Sequence, residues 1–84
     1  MRGVIRLGDP HSHGGEVISA SGQMFVGKPV MLIGDVVSCP EHGKNPVNQG
    51  HPTWTMMGRN VVLDGHQSKC GCTLHTTLPQ TGAD

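Results

Sequence analysis

The feature that most constrains this chain is a nine-residue pattern that occurs three times and aligns without a gap. The copies are Met1-Arg2-Gly3-Val4-Ile5-Arg6-Leu7-Gly8-Asp9, Gly27-Lys28-Pro29-Val30-Met31-Leu32-Ile33-Gly34-Asp35 and Gly58-Arg59-Asn60-Val61-Val62-Leu63-Asp64-Gly65-His66. Each is an apolar run too short for an ordinary helix and suited to a strand, closed by a glycine that permits a tight turn. The turn glycines Gly8, Gly34 and Gly65 stand 26 and 31 residues apart, a spacing at which an internal repeat signals architecture. Three unequal copies in 84 residues predict a small all-β fold: a pseudo-threefold cone of short hairpins with little or no helix.

Composition sharpens that expectation. The 13 Gly and 6 Pro are poor in helix interiors and frequent in turns. Only 35% of residues are hydrophobic, with one Trp, one Phe and no Tyr, and a chain of this length buries only about 60% of its unfolded surface. Such a thin core calls for a metal, a disulfide or a partner chain. Six basic and six acidic residues cancel, so the basic excess and stacked aromatics of a nucleic-acid binder are missing. No signal peptide and no run near 18 apolar residues is visible, which predicts no stable membrane insertion. In a reducing cytosol, three cysteines read as thiols or ligands before they read as disulfides.

In chain order, residues 3–7 and 16–22 are expected as strands. Gln23-Met24-Phe25-Val26 and Val30-Met31-Leu32-Ile33 form a hairpin turning at Gly27-Lys28. The run 53–57 with 60–63 repeats it around Gly58-Arg59, and residues 73–78 make the last strand. Residues 44–52 read as a surface connection and residues 79–84 as a tail. The whole chain, 1–84, is expected to be one domain without an effector extension. Met24, Phe25, Val26, Trp54, Met56 and Met57 are expected in the core, with some of them lining a base.

The candidate chemistry lies in the loops after the turns. Five residues beyond Gly8, Gly34 and Gly65 stand His13, Cys39 and Cys70. Two further histidines create chelating pairs, Cys39-x-x-His42 and His66-x-x-x-Cys70. Zinc takes sulfur and imidazole nitrogen in groups of four, whereas magnesium and calcium prefer oxygen. His13, Cys39, His42, His66 and Cys70 are five candidates for four places. Repeat equivalence keeps both cysteines, and a three-histidine, one-cysteine shell releases Cys39. His11, His51 and His75 have no partner spacing and are expected solvated, with Cys72 a small core residue.

Enough ligands exist to close the shell, so a structural zinc is expected rather than a catalytic one with an open position. Glu41 reads as a solvated charge rather than a general base. A cysteine nucleophile paired as Cys39 with His42, or Cys70 with His66, lacks an orienting third group. The protein is therefore expected not to be an enzyme.

The chain resembles the PAAR-repeat proteins, the tip of the bacterial type VI secretion spike. Pro29-Val30-Met31-Leu32 stands where the proline-alanine-alanine-arginine motif would fall, Val4-Ile5-Arg6 keeps the arginine, and Asn60-Val61-Val62-Leu63 keeps the apolar middle. More specific are Gly8-Asp9 with Ser12-His13-Gly14-Gly15, Gly34-Asp35 with Ser38-Cys39-Pro40 and His42-Gly43, and Gly65-His66 with Cys70-Gly71-Cys72. The resemblance implies a β-rich cone whose base caps a trimeric valine-glycine-repeat (VgrG) spike protein, one chain per trimer. It implies structural Zn2+ near the apex, held by His13, His42, His66 and Cys70, with Cys39 the alternative fourth ligand. It also implies residence in the bacterial cytoplasm until firing, then secretion toward a target cell, with separate effectors as further partners. The rival readings are a stand-alone zinc-binding adaptor and a small metal or cysteine hydrolase.

Overall fold

The computed structural model of the protein describes residues 2–40, 43–69 and 71–83; Met1, Glu41, His42, Cys70 and Asp84 lie outside the described residues. The element order is β1 (Arg2–Gly3), β2 (Met24–Phe25), β3 (Lys28–Pro29), β4 (Val36–Cys39), β5 (Gly43–Pro46), β6 (Thr55–Met56), β7 (Arg59–Asn60) and β8 (Gly82–Ala83). They pair antiparallel as β1 with β8, β2 with β3, β4 with β5, and β6 with β7. The described residues contain no helix, so the all-β expectation holds.

The three repeats meet in a closed ring of backbone hydrogen bonds. The Ile5 N–H donates to the Val62 carbonyl at 3.0 Å, Val62 to Met31 at 3.0 Å, and Met31 back to Ile5 at 2.7 Å. Two residues further on a second cycle runs in the opposite sense, where Leu7 donates to Pro29, Ile33 to Asn60 and Asp64 to Gly3. Bridges Val4 with Leu63, Arg6 with Val30 and Leu32 with Val61 obey it too. This is a pseudo-threefold axis written in main-chain bonds. It also explains why the expected strand over residues 3–7 is broken: each copy turns from one neighbour to the other within three residues, so no ladder can lengthen.

Alternation of side chains along the repeats sorts the core into two layers. Val4, Val30 and Val61 join Leu32, Leu63, Met56 and Leu78 on one side. Ile5, Met31 and Val62 join Val17, Val37, Val47 and Leu74 on the other. Burying each such side chain contributes about 1.5–3 kcal/mol. Position six of the repeat is Leu32 or Leu63 in two copies and Arg6 in the first. There the buried guanidinium donates to the Phe25 carbonyl at 2.9 Å and to Thr77 Oγ1 at 3.0 Å.

Three expectations are corrected. The hairpins turn at Val26-Gly27 and Met57-Gly58, one residue before the expected positions. Both central residues have positive φ, 53° and 82° in the first and 54° and 78° in the second, the backbone of a type I′ turn, whose twist matches a two-residue hairpin loop. Residues 43–46 are a strand, β5, whose register sets Cys39 opposite Gly43, and Val47 beyond it is in the core.

The third correction concerns the expected tail. Leu78 is buried, Thr81 accepts from the Val4 N–H, and Gly82 and Ala83 pair with Gly3 and Arg2. Arg2 with Ala83 repeats the register of Lys28 with Phe25 and of Arg59 with Met56. The third hairpin is thus assembled from the two ends of the chain. No helix among the described residues is long and apolar enough to cross a membrane.

Candidate metal centre

The residue after each turn glycine has one structural task. Asp9 Oδ2 accepts from the Arg6 N–H at 2.8 Å, Asp35 Oδ2 from Leu32 at 2.9 Å, and His66 Nδ1 from Leu63 at 2.9 Å. These caps satisfy a buried backbone donor that the turn would otherwise orphan. A neutral imidazole accepting at Nδ1 carries its proton on Nε2 and has no lone pair left for a metal. The structure therefore places His66 as the counterpart of Asp9 and Asp35, apart from the other sulfur and nitrogen donors. Burial lowers its pKa from 6.5, with the Arg2 charge and His51 adding to the effect.

Beyond the turns the three loops are again cyclically bound. Val17 bridges Val37, Val47 bridges Ser68, and Leu74 bridges His11. His11, Val37 and Ser68 each stand three residues after a turn glycine, and all are buried. The expectation of a solvated His11 is thus corrected: the imidazole donates from Nε2 to the Ser38 carbonyl and accepts at Nδ1 from the His13 N–H at 3.1 Å. It ties the first loop to the second and fixes the backbone of His13. Gly15 passes so close that a Cβ there would overlap the Ser38 carbonyl and the His11 ring.

One step further, His13, Cys39 and Cys72 converge, their ligand atoms all within 4.8 Å of one another. Cys72 Sγ is 2.9 Å from His13 Nδ1, Cys39 Sγ is 3.6 Å from the same nitrogen, and the two sulfurs are 3.5 Å apart. Strand alternation delivers the sulfurs inward: Cys39 follows Val37 by two residues in β4, and Cys72 precedes Leu74 by two. His13 is half-buried; both cysteines are buried.

The donor set fits a metal. Tetrahedral zinc with sulfur at about 2.3 Å and nitrogen at about 2.0–2.1 Å needs sulfurs about 3.8 Å apart and sulfur to nitrogen about 3.5 Å. Two of the three separations agree to a few tenths of an ångström, and the third, 2.9 Å between Cys72 and His13, is about 0.6 Å shorter than that geometry needs. Two sulfurs and one nitrogen are soft donors that select zinc or another late transition metal over magnesium or calcium.

Of the sequence-derived candidates, the structure brings His13 and Cys39 together and keeps His66 elsewhere; His42 and Cys70 lie outside the described residues. Cys72 is the addition. It is as buried as a core residue should be, yet it occupies the site that the matching offset assigns to Cys70. His51 caps a turn of its own, accepting at Nδ1 from the Thr53 and Trp54 N–H groups at 3.2 and 3.0 Å, and His75 is exposed.

Three short strand-and-loop units closed into a ring, with soft donors pooled from the loops, define a pseudo-threefold β domain built around a candidate metal centre. A family model described as the PAAR motif matches residues 7–76, so the chain belongs to the PAAR-motif family. No curated protein matches it.

Proposed function

We propose that the protein is a spike tip of a bacterial type VI secretion apparatus, a non-enzymatic cap seated on the end of a trimeric VgrG spike. The single observation that carries this reading is the family match over residues 7–76. The closed ring of backbone bonds supports it, because one chain with a threefold backbone can address three identical strand ends at once, and open strand ends otherwise invite aggregation. The hairpin tips fit the seat. Met24, Val26 and Met57 are exposed at 64%, 78% and 73%, and Val26 and Met57 hold a positive φ that apolar residues seldom adopt. Exposed apolar residues at strained turns are a feature of contact surfaces rather than of solvated ones.

Zn2+ is the proposed ion, bound by His13, Cys39 and Cys72, with His42 or Cys70 as the fourth ligand on the strength of the chelating pairs Cys39-x-x-His42 and Cys70-x-Cys72. Its role is structural: it ties three loops together where few apolar residues remain to pack. In this reading the protein is made in the cytoplasm, leaves through the apparatus, and separate effectors travel with it. Mixing the chain with a trimeric spike protein and weighing the complex by native mass spectrometry is the test. One chain per trimer is expected; three chains per trimer, or no complex, contradicts the cap.

A further inference from the structure

We propose that, when the site holds no metal and a small disulfide is present as oxidant, Cys39 and Cys72 form a reversible disulfide that staples the second loop to the third. The two sulfurs come from segments 33 residues apart and lie 3.5 Å from each other. A disulfide needs about 2.0 Å between sulfurs, so the side chains of Cys39, at the end of β4, and Cys72 have a gap of about 1.5 Å to close. Their surroundings differ in a way that sets the order of events. Cys39 lines a pocket of about 360 Å³ with Gly14, Gly15, Ser38, Pro40 and Lys44, whereas Cys72 is fully buried behind it, its sulfur 3.5 Å from that of Cys39.

A small disulfide entering the pocket therefore meets Cys39 first. The Cys39 sulfur attacks one sulfur of the reagent, forming a mixed disulfide and releasing one reagent thiolate, which takes up the Cys39 proton. Cys72 then attacks the Cys39 sulfur, its proton passes to His13 Nδ1 at 2.9 Å and on to the second leaving thiolate, and the internal bond forms. In sum, two protein thiols are oxidised to one disulfide and one reagent disulfide is reduced to two thiols. A thiol excess reverses it. The bond and the metal compete for the same two sulfurs, so the loops stay stapled either way: by the ion where thiols are kept reduced, by the disulfide in an oxidising compartment. That competition, though not the disulfide itself, rests on the metal-binding reading above.

The experiment treats the full chain with cystamine, once after metal removal and once loaded with zinc, and follows thiol count, intact mass and disulfide mapping. In the metal-free chain, two thiols should disappear with a mass lower by two hydrogens, and mapping should join Cys39 to Cys72. Cys70→Ser should behave the same, and Cys72→Ser should instead retain a cystamine half on Cys39. Linkage through Cys70, accumulation of stable mixed adducts on the unaltered chain, or no thiol loss would overturn the disulfide. Free zinc at ten times its Kd should slow the reaction roughly tenfold. Equal rates in the two arms would refute the metal competition while leaving the mapped disulfide standing.

Discussion

Replacing His66 separates a turn cap from a metal ligand, because the two roles make opposite demands on the substituent. In His66→Ala the Leu63 N–H, on a fully buried residue, loses its 2.9 Å acceptor. An orphaned buried donor costs about 1–3 kcal/mol. His66 is half-buried, so water reaches part of the gap and the lower half of that range, about 1–2 kcal/mol, applies. For a domain of this size each kcal/mol moves Tm by about 4–8 °C, which gives a drop of roughly 4–16 °C. His66→Asp installs the residue that caps both other turns, at Asp9 and Asp35. The charge that disfavours protonated His66, Arg2, attracts an aspartate. This variant should melt at or above the parent temperature. Thermal melts followed by circular dichroism measure both, with metal content determined on the same samples. Neither variant should lose metal. Failure of His66→Asp to restore stability, or loss of zinc from both variants, would refute the cap assignment and return His66 to the ligand shell.

Other outcomes follow from the same geometry. Because the folded state lowers the His66 pKa below 6.5, the unfolded chain binds the extra proton first. The associated stability is therefore present above about pH 6.5 and lost as the pH falls below it; metal-free protein should show this fall in Tm, and its His66→Asp variant should lack this histidine component. Gly15→Ala should displace His11 from the Ser38 carbonyl and weaken metal binding without removing a ligand, as read by competition with a chromophoric chelator; unchanged affinity would remove His11 as a positioning residue. Gly82→Val, whose Cβ would overlap the Arg2 carbonyl, should unpair β8 from β1 and cost at least about 2 kcal/mol in urea melts. Zinc at 100 times its Kd should stabilise the metal-free protein by about 2.7 kcal/mol, and the absence of any shift would deny the site a structural role.

The repeat made much of the fold legible. The aligned Val4, Val30 and Val61, and Ile5, Met31 and Val62, gave the register of the ring because a two-layer core needs apolar residues at consecutive positions of all three copies. The same alignment held the signal for His11, which shares its offset from the turn glycine with buried Val37, but a histidine judged by residue type alone reads as solvated. It also set His66 opposite Asp9 and Asp35, a hint of capping that chelate spacing to Cys70 outweighed. Cys72 could not be found by offset: it stands seven residues after Gly65, whereas His13 and Cys39 stand five after Gly8 and Gly34, and it faces the centre because it precedes buried Leu74 by two. The pairing of β8 with β1 was hidden because its two strands stand at opposite ends of the chain, although the first repeat, like the others, needs a strand ahead of it. The shifted turns were hidden for another reason. Type I′ geometry favours Asn or Gly where this chain has Val26 and Met57, so local preference pointed to the wrong pair of residues.

Whether the ring of three repeats draws His13, Cys39 and Cys72 to one ion is tested most directly by X-ray absorption at the metal edge of the purified, zinc-loaded chain. At least two sulfur neighbours at about 2.3 Å, with one lost in Cys72→Ser, is the predicted result. A shell with a single sulfur, unchanged by Cys72→Ser, would contradict it.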